Sequence, residues 1–402
     1  MGRFLFVVPP IAERVRPTVA VGSELVAHGH QVAWTGHREG LGDAPDGAPV
    51  VPVGSLRNPT DLILLWNDFL LPLARTMLPT VHAAVEDFRP DVIVTDPHAL
   101  AGAAVAHLSG LPWATVVPNS AGLADPLGDL PRIEKRLRRQ TRAFFREAGL
   151  DELAAARIDP QASPHLVLAC TTTALAGPTR DWPGRGRHEL VGPCLDPPPD
   201  DTVFDLDRLD LSRLLGFSRS RPLVVVALES RVPHAYHGAR LHQAVIDALS
   251  TMAVQVVVVG HPALVADVPT GAITMPLARL PTLARHAAAI VCDGGHDTVC
   301  TALANAVPLV VAPLTGDQPI IADQVVRAAA GVRVPARSAD PARLRRALAT
   351  VLTDVRIRRG VHRARASFTT APGPPAAAHH LESLLGRSAD APVLCGRGQD
   401  VG

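Results

Sequence analysis

The stretch Val291–Gln318, VCDGGHDTVCTALANAVPLVVAPLTGDQ, constrains the fold of this chain more than any other. A short apolar run ends in paired glycines, a helical segment follows, and a buried strand then leads to an exposed Asp317-Gln318. Alternation of strand, turn, helix and strand points to a parallel sheet. Gly294 and Gly295 at the helix start expose backbone N–H groups beside the positive end of the helix dipole, a setting suited to a phosphate. Glycine turns before helices are common, so this feature alone names no ligand.

The same alternation recurs along the chain. Phe4–Pro9 reads as a buried parallel strand. A loop over Pro10–Arg16 and a helix over Pro17–His28, closed by Gly29, follow, with proline first and glycine just past the end. Strand Gln31–Thr35, helix Leu71–Phe88, strand Val92–Thr95, helix Leu100–Leu108 and strand Ala114–Pro118 complete a doubly wound series. Leu130–Leu150 reads as a helical excursion, and Leu195–Pro222, with its PPPDD run, as a linker. A second series then begins with strand Leu223–Leu228, a helix near Ala239–Leu249 and strand Val254–Gly260. It continues with strand Ala289–Cys292, a helix after Asp297, strand Leu309–Ala312 and helix Pro319–Ala329. The expected division is an N-terminal domain over 1–195, a linker over 196–222, a C-terminal domain over 223–385 and a disordered tail over 386–402.

A length of 402 residues suits two domains, and 47% hydrophobic against 19% charged residues describes a soluble protein with a large core. The net charge of +1 gives no reason to expect nucleic acid or an anionic membrane. Basic residues cluster in Arg132–Arg146 at helical spacing, which reads as a solvated helix face. The cysteines at 170, 194, 292, 300 and 395 are odd in number and lack CxxC spacing. Neither a disulfide framework nor a zinc site is expected; Cys292 and Cys300 read as small packing residues. The N-terminus is too short in apolar length for a signal peptide, and no run approaches the roughly 18 apolar residues of a membrane span. A cytoplasmic protein is the expectation.

The longer pattern around the glycines resembles the donor-site signature of family 1 glycosyltransferases, metal-independent GT-B enzymes that decorate macrolides, polyketides and carotenoids. That signature runs roughly H-G-G-H-G-T-V-x-E-A-L-x-x-G-V-P, then P-x-x-x-D-Q. Gly294, Gly295, His296, Thr298, Val299, Ala302, Leu303, Val307, Pro308, Pro313, Asp317 and Gln318 match it. Asp293, Asp297, Thr301 and Ala306 depart from it. The N-terminal PPIAERVRPTVAVGSELVAHGHQV is similar to the family's first loop and helix, matching at Pro17, Glu24, Leu25, Gly29 and His30. The resemblance implies an α/β GT-B fold, two facing Rossmann-like doubly wound domains with a cleft between them.

It also implies where the chemistry would sit, and there the chain diverges. The family's catalytic Gly-His is Glu13-Arg14 here, and an arginine stays protonated at any working pH, so it is no general base. His28 and His30, at the far end of the helix, read as structural. Asp96 matches the acid that orients the family's histidine. It has two readings: an ion pair with Arg14, or a base in its own right with His98 as a second candidate. On the donor side, Glu229-Ser230 replaces a glycine-containing turn near the diphosphate, and Asp293 replaces a phosphate-bonding histidine. Asp297 stands for a small residue close to the phosphates, and Thr301 for the acid that contacts the ribose. Like charges about 6 Å apart repel by about 3 kcal/mol at an effective dielectric near 20. Two or three such pairs would cancel most of a micromolar affinity, about −8 kcal/mol. Asp293, His296, Asp297 and Glu229 would make plausible ligands for a divalent ion, but D-x-x-H-D is an unspecific spacing and no metal is expected. Asp317 and Gln318 either keep the family's sugar contacts or cap the following helix.

Three functions follow. The leading expectation is a tailoring enzyme that has lost nucleotide-sugar transfer and uses Asp96, Glu13, Arg14 and His98, with Asp293 as a further candidate, for acid–base chemistry such as cyclisation, isomerisation or dehydration on a hydrophobic natural product. The alternative is genuine transfer from a UDP- or TDP-sugar, and a third reading is a non-catalytic partner of another enzyme. No cofactor is expected, apart from the nucleotide sugar under the alternative. The partner expected is a hydrophobic small molecule, with a second copy of the chain or another biosynthetic enzyme left open.

Overall fold

The computed structural model describes residues 1–36, 50–52, 65–124, 130–159, 161–178, 187–195, 221–228, 236–260 and 273–386. The chain forms two compact units. The first comprises Met1–Thr171, Thr179–Cys194 and Pro372–Gly402; the second comprises Thr172–Pro178 and Leu195–Ala371.

The first unit is built on strands β1 (Arg3–Val7), β2 (Gln31–Gly36), β3 (Val50–Pro52), β4 (Val92–Thr95), β5 (Trp113–Val117), β6 (Val167–Ala169) and β7 (His188–Leu190). They lie in the order β3-β2-β1-β4-β5-β6-β7, and every pairing is parallel. Side chains alternate across the sheet. Leu5 and Val7 pack with helices Leu71–Phe88 and Leu100–Leu108, while Phe4 and Phe6 pack on the opposite face with Val15, Val19 and Trp34. Both faces are covered, which is why these strands read as continuous apolar runs. The strand order reverses between β1 and β4, and such a switch point is where open α/β sheets bind their ligands.

The first helix corrects the sequence reading. It spans Ala12–Ala27, so the expected loop over Pro10–Arg16 is largely helical and Pro17 lies inside the helix. Pro17 lies past the first turn and forgoes one backbone hydrogen bond, and burial of Val15 and Arg14 anchors the turn before it. A second correction concerns the chain's end. Helix Gly373–Glu382, expected in the C-terminal domain, belongs to the first unit. Its Ala377, Ala378 and Leu381 join the core of Phe4 and Phe6. Glu382 Oε1 accepts from His28 Nδ1 at 2.7 Å and from His30 Nε2 at 3.0 Å. Gly2 N–H donates to His30 Nδ1 at 2.8 Å, so both histidines serve structure. The tail beyond Gly386 lies outside the described residues.

The second unit repeats the design with β8 (Leu223–Ala227), β9 (Gln255–Val259), β10 (Ile273–Met275), β11 (Ala289–Cys292), β12 (Leu309–Val311) and β13 (Gly331–Arg333). Their order, β10-β9-β8-β11-β12-β13, is that of a dinucleotide-binding sheet, again wholly parallel. Its switch point falls between β8 and β11. Among the described residues no helix is long and apolar enough to cross a membrane.

Candidate functional site

At the β1/β4 switch point the structure brings Arg14, Asp96 and His98 together. Asp96 directly follows β4, and its N–H donates to the carbonyl of Val7 at the end of β1, 3.0 Å away. Arg14 reaches it from the first turn of the helix that follows β1. Its Nη1 lies 3.2 Å from both Asp96 carboxylate oxygens, and Oδ1 also accepts the His98 N–H at 2.7 Å. Arg14 is 7% exposed and Asp96 1%, so this is a buried ion pair. Of the two readings of Asp96, the geometry holds the ion pair: both oxygens are engaged, which removes the carboxylate from service as a base.

Arg14 Nη2 donates to His98 Nε2 at 3.1 Å. A guanidinium has only donors, so Nε2 must carry a lone pair and the ring proton sits on Nδ1. That Nδ1 is buried, with no partner among the described residues. Burial first, and the Arg14 charge second, push the imidazole pKa well below its ordinary value. His98 is therefore neutral. The Glu13 side chain lies outside the described residues.

At the second switch point Asp293 follows β11 and Gly294 turns the chain at φ +96°, a left-handed value that favours glycine. A Cβ there would come 3.0 Å from Val311 Cγ1 and 3.2 Å from the Gln318 carbonyl, so close packing also calls for glycine. Gly295 is the N-cap of helix His296–Ala304, and its N–H donates to Asp293 Oδ1 at 3.2 Å. Asp293 is fully buried and turned onto its own loop, where the sequence reading had it pointing at a diphosphate. His296 and Asp297 open the helix as half-buried residues, with His296 Nε2 3.4 Å from Cys300 Sγ. Thr298 and Thr301 are buried, and the Thr301 carbonyl accepts from Asn305 Nδ2 at 2.9 Å. Glu229 and Ser230 lie outside the described residues. No group of three or more metal-ligating side chains occurs among those described.

Asp317 precedes helix Gln318–Arg327 without a side-chain capping bond, so that reading of it is not met. Gln318 has a different task. Its Oε1 accepts from Leu314 N at 2.9 Å and Thr315 N at 3.0 Å, bracing the loop that the Gly294 turn packs against. Sequence reasoning missed this brace; a glutamine just after a Thr-Gly-Asp turn and just before Pro319 is the signal that marks it.

Residues 243–384 match the family described as the erythromycin biosynthesis protein CIII-like C-terminal domain. The chain is also similar to 4'-demethylrebeccamycin synthase of Lentzea aerocolonigenes, 29% identical over 90% of this chain and 94% of the relative. These matches make the chain similar to natural-product glycosyltransferases along nearly its whole length. Demethyllactenocin mycarosyltransferase of Streptomyces fradiae is 26% identical to this chain, over 97% of the chain and 88% of its own length. The solved glycotransferase of kitacinnamycin shares the GT-B fold at a TM-score of 0.78, with 22% identity, 96% of this chain covered and 99% of the other.

Proposed function

We propose that this glycosyltransferase homologue moves a sugar from a nucleoside diphosphate donor to a natural-product acceptor. The observation that carries the reading is the extent of similarity, nearly end to end, to relatives named for sugar transfer and natural-product synthesis. Transfer thereby displaces acid–base tailoring as the leading expectation.

The chemistry assigns roles to the two switch points. An acceptor nucleophile attacks the anomeric carbon, the bond from that carbon to the diphosphate oxygen breaks, and the diphosphate leaves with the electron pair. The N–H groups opening helix His296–Ala304 would receive that charge. Asp293 Oδ1 already accepts the Gly295 N–H, so the donors left for the diphosphate are those of the helix's first turn. The acceptor proton needs a base, and Arg14 is none. His98 is the neutral group beside it, and Nε2 would take the proton once the acceptor replaces the Arg14 contact.

Isothermal titration with UDP, TDP and their glucose conjugates, with and without Mg²⁺, tests the reading. Micromolar binding without metal is expected. Absence of binding in both conditions would sink it and favour acid–base tailoring, the second reading, for which neutral His98 is the candidate group.

A further inference from the structure

We propose that Cys170 and Cys194 form a reversible thiol–disulfide site, closed by a small-molecule disulfide of the glutathione type. Their sulfurs lie 3.6 Å apart although the residues are 24 positions apart in sequence. Cysteine spacing gave no hint of this, because the fold makes the pairing. Cys170 directly follows β6, and its N–H is fixed to the Val117 carbonyl of β5 at 3.0 Å. Cys194 lies just past β7, where the chain is laced to the same place. Val191 N–H donates to Ala169 at 3.0 Å, and Gly192 N–H to Thr171 at 3.1 Å. A disulfide of about 2.0 Å requires the two sulfurs to close by only about 1.6 Å.

Accessibility orders the steps. Among the described cysteines, Cys194 is half-buried and Cys170, Cys292 and Cys300 are buried. The Cys194 thiolate, its proton lost to solvent, attacks one sulfur of the oxidant, forming a mixed disulfide and expelling one small-molecule thiolate. The Cys170 thiol then attacks Cys194 Sγ and expels the second thiolate, which takes up the Cys170 proton, while the first takes one from solvent. Two protein thiols are oxidised, one small disulfide is reduced to two thiols, and no other reagent is needed. The chain leaves the first unit directly after Thr171 and again after Cys194. The bond would therefore tie together its two points of exit. This inference stands independently of the sugar-transfer reading.

The test is peptide mapping of the full chain after incubation with glutathione disulfide and alkylation of the remaining thiols. The expected product is a cross-linked pair of peptides holding Cys170 and Cys194, free of glutathione and reversed by dithiothreitol. Cys170→Ala should stop at a stable glutathione adduct on Cys194, and Cys194→Ala should leave Cys170 unmodified. A wild-type chain that keeps glutathione on Cys194, or in which both thiols remain alkylatable, overturns the proposal.

Discussion

The Arg14 guanidinium meets both carboxylate oxygens of Asp96 at 3.2 Å across the mouth of β1 and β4, and the pair is almost wholly shut away from water. A cation thus stands where the sequence resemblance implies a base, and the neighbouring acid holds it. Removing either side chain leaves the other's buried charge without this opposite charge beside it. Arg14→Ala and Asp96→Asn should each destabilise the protein by about 3–5 kcal/mol, while the double variant costs less than the sum. Denaturant unfolding of the four proteins measures the coupling; simple additivity would mean that the pair does not exist in solution.

Arg14→His should do more than relieve the charge. An imidazole beside Asp96 adds a stronger base than His98, whose pKa burial and Arg14 depress, and general-base catalysis is worth about 10²–10⁴-fold. Initial rates of transfer to a hydroxyl-bearing acceptor should rise at least about tenfold. An unchanged rate in a folded, donor-binding variant would show that proton removal is not what limits this chain.

Stability should fall in acid in two windows. His98 has a folded pKa below its unfolded value of about 6.5, so between the two the unfolded chain binds the extra proton. Its contribution is fully present above about pH 6.5 and drains away as pH falls toward the folded value. Burial opposes ionisation of Glu382, but hydrogen bonds from His28 and His30 outweigh it and hold the carboxyl below the usual glutamate range. That contribution is present above about pH 4.3 and is lost as pH falls through the folded value. Chemical denaturation from pH 8 to 3 should flatten in the upper window for His98→Gln and in the lower one for Glu382→Gln. A wild-type curve level from pH 7 to 5 would contradict the assignment for His98.

Gly294→Ala should strain the β11 turn by about 1–3 kcal/mol, because φ is +96° and the new methyl meets Val311 and the Gln318 carbonyl. Nucleotide affinity, read by titration at a temperature where the variant is folded, should drop with it. Equal affinity in wild type and variant would detach the glycine turn from donor binding.

Much of this molecule is legible in its sequence. Helices Leu71–Phe88 and Leu100–Leu108 and strands Val92–Thr95 and Ala289–Cys292 fall where periodicity and apolar runs put them, since burial on both faces of a parallel sheet leaves a strong pattern. The first helix was misread because Pro17 looks like a helix start, whereas tertiary burial of Val15 and Arg14 carries the helix a turn further back. At the site, the sequence marked Asp96 and Asp293 as acids following strands, which chain order alone can do. It could not reveal that Asp293 turns inward onto Gly295, or that Gln318 braces the adjacent loop. Both depend on side-chain direction within a turn, and the residue types are compatible with either orientation.

The return of helix Gly373–Glu382 to the first unit has a practical consequence for swapping halves between chains of this fold. A hybrid cut once, in the segment after Cys194, would pair one parent's Phe4, Phe6 and His30 with the other parent's closing helix. The seam would then run through a hydrophobic core and the histidine–glutamate contacts. A graft that instead carries Leu195–Ala371 as an insert, with both ends of the host retained, leaves that seam intact.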